Sequence, residues 1–133
     1  MLKAKDIMTE ENIISVREDT PIYEAVELVV KYGISGMPVV KDDIALVGIV
    51  SEKDLIKLFY GKEGENSRVG DFMTQPAVHF DVDESLLDVC DFLMKNIFRR
   101  VPITSKDKLA GIISIKDVLG YILELKREDA VTV

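Results

Sequence analysis

Two serine–aspartate pairs, Ser51 with Asp54 and Ser114 with Asp117, have the same spacing and recur 63 residues apart. Each stands where an apolar run, ending at Val50 or Ile113, gives way to helical spacing. A serine at a helix start lies among backbone N–H groups that lack an intrahelical partner, and the helix dipole adds to their pull on an anion. Its hydroxyl can donate to a phosphate oxygen. The carboxylate one turn on can accept two hydrogen bonds from vicinal hydroxyls. The same residues also read as a capping box, in which serine and aspartate satisfy the helix's own donors with no ligand at all. Both readings stand on the residues alone.

A second chemistry-bearing pair, Arg99 and Arg100, occupies the positions equivalent to Ser35 and Gly36 in the other half of the chain. Two guanidinium groups can neutralise a phosphate. A surface salt bridge to one of the 24 acidic residues is the competing account. The site nearest these arginines is expected to prefer phosphorylated ligands. His79 has no Cys or His companion at ligand spacing, so no metal site is expected. Cys90 falls on an apolar helical stripe and reads as a small buried hydrophobe. No nucleophile–base pair or glycine-rich phosphate loop is evident, so no catalytic residue is assigned and an enzyme is not expected.

These residues are positioned by a duplicated unit. Asp6-Ile7-Met8-Thr9 returns as Asp71-Phe72-Met73-Thr74 at offset 65, and Met37-Pro38-Val39 as Val101-Pro102-Ile103 at offset 64. Gly48-Ile49-Val50-Ser51 returns as Gly111-Ile112-Ile113-Ser114 at offset 63. Within each repeat the order is the same. Ile13–Val16 and Ala77–Phe80 are short strand candidates. Thr20 is suited to cap a helix with Pro21 in its first position, and Ile22, Ala25, Val26 and Val29 follow at helical spacing up to Gly33. Their counterparts are Leu86, Val89, Cys90 and Leu93. Pro38–Val40 and Ala45–Val50 read as paired strands, and a second helix after Ser51 places Leu55, Ile56 and Phe59 on one face, answered by Val118, Leu119 and Ile122. The expected division is a first repeat over 1–60, a linker over 61–68 containing Gly61 and Gly64, a second repeat over 69–125 and a C-terminal tail over 126–133. The fold class is therefore α+β, built from two βαββα repeats. A single repeat of this size would bury too little surface to be secure alone, so the pair is expected to fold as one unit.

Composition narrows the function classes. Hydrophobic residues make up 47% of the 133-residue chain and charged residues 31%, and the formal net charge is −7. Nucleic-acid binding, which needs many phosphates neutralised, is not expected. No apolar run approaches the roughly 18–20 residues of a membrane helix, and Met1–Asp6 lacks a signal-peptide core. With one cysteine there is no intrachain disulfide, which fits a cytoplasmic location.

Taken together, the duplicated Gly-apolar-apolar-Ser-x-x-Asp segments, the Met-Pro-Val and Val-Pro-Ile segments and the Ile-Met-Thr and Phe-Met-Thr starts resemble a tandem CBS-domain pair, or Bateman module, over roughly residues 4–124. The resemblance implies two units related by a pseudo-twofold axis. It also implies clefts that accept AMP, ADP, ATP or S-adenosylmethionine as regulatory ligands, with no required cofactor. It makes Asp54 and Asp117 the ribose contacts, with Ser51, Ser114, Arg99 and Arg100 near phosphate. Asn12, Ile13, Ile14, Met37 and Pro38, with Pro76, Ala77, Val78, Val101 and Pro102, would wall the adenine pockets, although Met37 and Val101 also read as core. A homodimer and an effector protein are the implied partners. The alternative is a structural dimerisation module with degenerate pockets.

Overall fold

The computed structural model describes residues 1–61 and 65–131. Gly64, assigned to the linker, lies outside the described residues. Six strands and four α-helices are found among them: β1 (Val16–Arg17), α1 (Ile22–Tyr32), β2 (Gly36–Lys41), β3 (Ala45–Ser51) and α2 (Glu52–Leu55), then β4 (Phe80–Asp81), α3 (Leu86–Lys95), β5 (Arg100–Ser105), β6 (Lys108–Ser114) and α4 (Ile115–Val131). The order β-α-β-β-α occurs twice, as the repeats predict.

Two spatial units emerge, and they interleave in sequence. One, here the Asp54 unit, comprises Ile14–Val78 with Lys106–Leu109; the other, the Asp117 unit, comprises Met1–Ile13, His79–Ser105 and Ala110–Val133. The start of the chain thus belongs with the second repeat's helices.

In the Asp54 unit, β1 pairs in parallel with β2, Val16 opposite Val39, and β2 pairs antiparallel with β3, Met37 opposite Val50. Ile22 and Ala25 are fully buried on α1 and join Val39, Val50, Val69 and Phe72 in one apolar core. The helix stops at Gly33, which takes the left-handed φ of 62° that glycine adopts at no steric cost. Its start differs from expectation. The Thr20 hydroxyl accepts the Arg17 N–H within the preceding turn, and Pro21 stands one place before the helix. Ile22 N–H donates to the Ser67 carbonyl. The expected linker therefore does the capping that the sequence assigned to Thr20.

In the Asp117 unit, β4 pairs in parallel with β5, Phe80 opposite Ile103, and β6 lies beside β5. The core holds Ala4, Leu86, Val89, Leu93, Val101, Ile103 and Ile113. Ser85 caps α3 by accepting the Leu87 N–H, and Leu86 N–H donates to the Leu2 carbonyl. The β5–β6 connection uses two residues with positive φ, Lys106 at 51° and Asp107 at 67°, the signature of a tight hairpin. The β2–β3 connection spans Asp42, Asp43 and Ile44. That extra residue accounts for the drop in repeat offset from 64 to 63.

Three boundaries move. The early strands begin at Val16 and Phe80, at the end of the expected segments, because only there does the chain run beside a partner strand. The helix after Ser51 is a single turn that tightens into a 3-10 stretch over Ile56–Tyr60 and ends at Gly61, φ 71°. Leu55 is buried, but Ile56 and Phe59 are exposed, so the expected common face is split. Residues 126–131, expected as tail, continue α4, which meets no such glycine after Tyr121.

Candidate functional site

Each Ser-x-x-Asp pair sits where a strand passes directly into a helix, and each is closed by the start motif of the other repeat. In the Asp54 unit, Ile49 and Thr74 exchange backbone hydrogen bonds of 3.1 and 2.8 Å. Gly48 makes this approach possible: a Cβ there would stand 2.9 Å from both the Met73 sulfur and the Thr74 carbonyl oxygen. In the Asp117 unit, Thr9 and Ile112 exchange bonds of 2.8 and 2.9 Å, and a Cβ on Gly111 would stand 2.7 Å from the Met8 sulfur. The two recurring segments of each repeat therefore serve different sites.

The close approach brings a threonine hydroxyl to each carboxylate. Asp54 is 7% exposed. Its Oδ2 accepts the Ser51 N–H at 2.9 Å and the Ser51 hydroxyl at 3.0 Å, and the Thr74 hydroxyl lies 3.3 Å from both carboxylate oxygens. Lys57 Nζ is 3.9 Å from Oδ1. Asp117 is half-buried and less surrounded. Ser114 N–H donates to Oδ2 at 2.8 Å and the Thr9 hydroxyl to Oδ1 at 3.2 Å. Gly120 stands where the first repeat has Lys57. In return, Ser51 and Ser114 accept the N–H groups of Asp54 and Asp117 at 3.2 and 3.1 Å. The capping box is formed at both sites.

The segment before the second strand of each repeat is tied to the same helix start. Glu52 N–H donates to the Ser35 carbonyl at 2.9 Å, and Ile115 N–H to the Arg99 carbonyl at 3.0 Å. Ser35-Gly36 therefore belongs with Asp54, and Arg99-Arg100 with Asp117. Of the residues proposed to wall an adenine pocket, Ile14, Met37, Pro38, Pro76, Ala77 and Val78 fall in the Asp54 unit. Asn12, Ile13, Val101 and Pro102 fall in the Asp117 unit. Met37 and Val101 are 2% and 1% exposed and pack into the two cores, so their side chains are structural and only their backbone can face a ligand.

Thr9 and Thr74 are the site residues that sequence reasoning missed. Both stood in the recurring start motif, but the repeat alone does not say which strand end each motif closes. Cys90 is unconnected to either site. Burial, with the Asp91 carboxylate nearby, raises its thiol above the ordinary value, so it stays protonated at neutral pH. Among the described residues no cluster of three or more His, Cys, Asp or Glu is placed to hold a metal ion, and no helix is long and apolar enough to cross a membrane.

A family profile described as "CBS domain" matches residues 4–61 and again 69–124. An uncharacterised protein of Methanocaldococcus jannaschii, MJ1225, is 34% identical over 118 residues, 89% of this chain and 42% of that protein. An inosine-5′-monophosphate dehydrogenase of Aquifex aeolicus is 33% identical over 110 residues, 81% of this chain and 22% of the enzyme. This chain thus spans less than half the length of these relatives. Among solved structures, Arabidopsis thaliana CBSX2 in complex with AMP superposes with a TM-score of 0.83 at 31% identity, covering 95% of this chain and 99% of that one.

Proposed function

The chain belongs to the CBS-domain family, whose paired domains are regulatory modules, and from that premise we propose that it binds an adenosine-bearing ligand through ribose contacts at Asp54 and Asp117. One observation carries the reading. Each carboxylate is already aimed and held, by a serine N–H on its own helix and by a threonine hydroxyl from the other repeat. A ribose cis-diol adds two further donors to a group oriented before binding, which lowers the entropic cost of association. At Asp117, which accepts two hydrogen bonds, the two roles are compatible because a carboxylate offers about four acceptor positions; at Asp54 a diol would displace the Ser51 or Thr74 hydroxyl. Ser51 and Ser114 mark the helix starts where a phosphate would lie; the Ser51 hydroxyl, which donates to Asp54, would have to turn from that carboxylate to reach it. Ile14, Pro38, Pro76, Ala77 and Val78 at one site, and Asn12, Ile13 and Pro102 at the other, offer surfaces for the base. The likeness to CBSX2, which was solved with AMP, supports AMP as the first ligand to test, with ADP, ATP and S-adenosylmethionine beside it.

On this reading the chain regulates and does not catalyse, works in the cytoplasm, and passes its signal to an effector protein. It takes neither nucleic acid nor membrane as partner. A homodimer is part of the reading. Four exposed apolar positions on α1 and the helical stretch after Ser51 recur in register on α3 and α4: Tyr23 with Leu87, Val30 with Met94, Ile56 with Leu119 and Phe59 with Ile122. Between Tyr23, Val26, Leu55 and Phe59 runs a groove of about 470 Å³. Such faces favour burial against another chain.

Thermal unfolding with each nucleotide tests the binding claim. A ligand at one hundred times its Kd adds about 2.7 kcal/mol of stability. No shift with AMP, ADP, ATP or S-adenosylmethionine would favour the purely structural dimerisation module instead.

A further inference from the structure

The two carboxylates are not equally free to meet a ligand. At Asp54, Oδ2 already accepts both the N–H and the hydroxyl of Ser51, and the Thr74 hydroxyl lies within reach of both oxygens. Lys57 Nζ stands 3.9 Å from Oδ1. Asp117 accepts only the Ser114 N–H and the Thr9 hydroxyl, one on each oxygen. The serines differ in the same sense. Both accept an aspartate N–H, but the Ser51 hydroxyl donates to Asp54 while that of Ser114 donates to no described residue. With about four acceptor positions on a carboxylate, Asp54 has none to spare and Asp117 keeps about two open.

Part of this difference is written in the sequence, at positions 57 and 120, which are equivalent in the two repeats. Lys57 reaches Asp54, whereas Gly120 offers Asp117 no side chain. A Cβ on Gly120 would meet nothing within 4 Å, so the space for a lysine is there and is left empty. Among the described residues no cation lies within ion-pair distance of Asp117. A cis-diol arriving at Asp117 adds hydrogen bonds and breaks none. At Asp54 each bond gained displaces one held by Ser51 or Thr74 and loosens the pairing with Lys57, so the exchange yields little net gain.

We infer that the two sites load in order: an adenosine-bearing ligand fills the Asp117 site first and the Asp54 site only at higher concentration, because the Asp54 carboxylate is latched by its own Ser51, Thr74 and Lys57. This rests on the ribose reading above and adds to it the order of loading and a residue, Lys57, that sets it. One module would thus answer two ranges of ligand concentration. The lysine is exposed, so its own share of the latch is modest, and the hydroxyls supply the rest.

Calorimetric titration of the full chain with AMP tests the order. The unsubstituted chain should show two classes of site that differ in affinity by roughly tenfold or more. Asp117→Ala should remove the tight class, and Asp54→Ala the weak one. A single class, lost in Asp117→Ala, is the same result with the Asp54 site closed across the range. Lys57→Ala should tighten the weak class by about two- to fivefold and leave the tight class alone, and Gly120→Lys should weaken the tight class by a similar factor. Equal affinities at the two sites, or tight binding lost in Asp54→Ala, would overturn the order while leaving the ribose contacts standing. An unchanged or weakened Asp54 site in Lys57→Ala would overturn the role of Lys57. If neither aspartate substitution alters the titration, and 2′-deoxy-AMP binds as AMP does, the ribose reading itself fails and the order with it. The deoxy comparison is made on the unsubstituted chain and needs no variant to fold.

Discussion

Asp54 and Asp117 come from the same duplicated segment, yet one is enclosed and the other half open. Asp54 gathers two groups of Ser51, the Thr74 hydroxyl and the Lys57 ammonium, while Asp117 gathers one N–H and the Thr9 hydroxyl. Duplication preserved the geometry that aims each carboxylate, and divergence acted on what surrounds it. The lesson is that the scaffold of a site and the charge around it vary independently here: backbone contacts fix the first, and a few side chains, Lys57 against Gly120 among them, set the second.

The comparison can be strained from the core outward. Ile22 and Leu86 are equivalent buried positions on α1 and α3. Replacing either with alanine is expected to cost about 3 kcal/mol in chemical denaturation. A cost confined to one of them would mean that the two cores are not equivalent. Next come Gly48→Ala and Gly111→Ala. Each forces a methyl against the Met-Thr segment crossing it, for about 2 kcal/mol, and should loosen the threonine from its aspartate. Hydrogen exchange at the Thr74 and Thr9 amides reads that loosening directly.

The carboxylates themselves should separate the two sites. Asp54→Ala leaves the Ser51 N–H without its acceptor in a buried setting and is expected to cost about 1–2 kcal/mol. Asp117→Ala, at a half-buried site, should cost less, about 1 kcal/mol or under. Equal costs would show that burial of the site is not what distinguishes them. If the chain pairs through its exposed apolar faces as proposed, Phe59→Ser and Ile122→Ser should leave the fold intact and weaken that pairing by about 1 kcal/mol each, read by sedimentation. Loss of assembly with only one of them would break the equivalence of the two faces.

The smallest effect is electrostatic. Lys108, by hydrogen bond and then by charge, holds the Asp43 carboxyl below its ordinary value, and Lys5 does the same for Asp83 with lesser help from Lys3. A lowered carboxylate value means that the stabilisation is present above the unfolded value and is lost as pH falls through the folded one. Both pairs are exposed, so an NMR titration should show low values at Asp43 and Asp83 that rise when Lys108→Ala or Lys5→Ala removes the partner, with little change in melting temperature.

Much of this architecture was legible in the residues. The helical stripe from Ile22 to Val29, the stop at Gly33 and the paired strands around Asp42-Asp43 are local patterns, and local patterns decide them. The Ser-x-x-Asp spacing predicts the capping boxes found at both strand-to-helix junctions, and the same spacing at Ser85 and Asp88 starts α3. What was not legible is non-local. β1 and β4 shrink to two residues because their extent depends on where β2 and β5 run alongside them. Thr20 looked like a cap, but a carbonyl from Ser67 reached the helix start instead. Met37 and Val101 looked equally suited to a pocket and to a core, and only packing distinguishes the two. Thr9 and Thr74 could not be assigned because the two repeats are chemically alike at the strand ends they close.

The interleaving of the units has a consequence for how the chain is made. Residues 14–78 contain nearly all of the Asp54 unit as one uninterrupted stretch. They can collapse as they leave the ribosome, lacking only the short stretch 106–109. Met1–Ile13 precede this stretch, yet their partners in the Asp117 unit all follow it, Val82, Glu84 and Leu86 first and Ile112 later. The segment ahead of residue 14 is therefore complete only when a stretch made about a hundred residues later, Gly111 and Ile112, gives Thr9 its place.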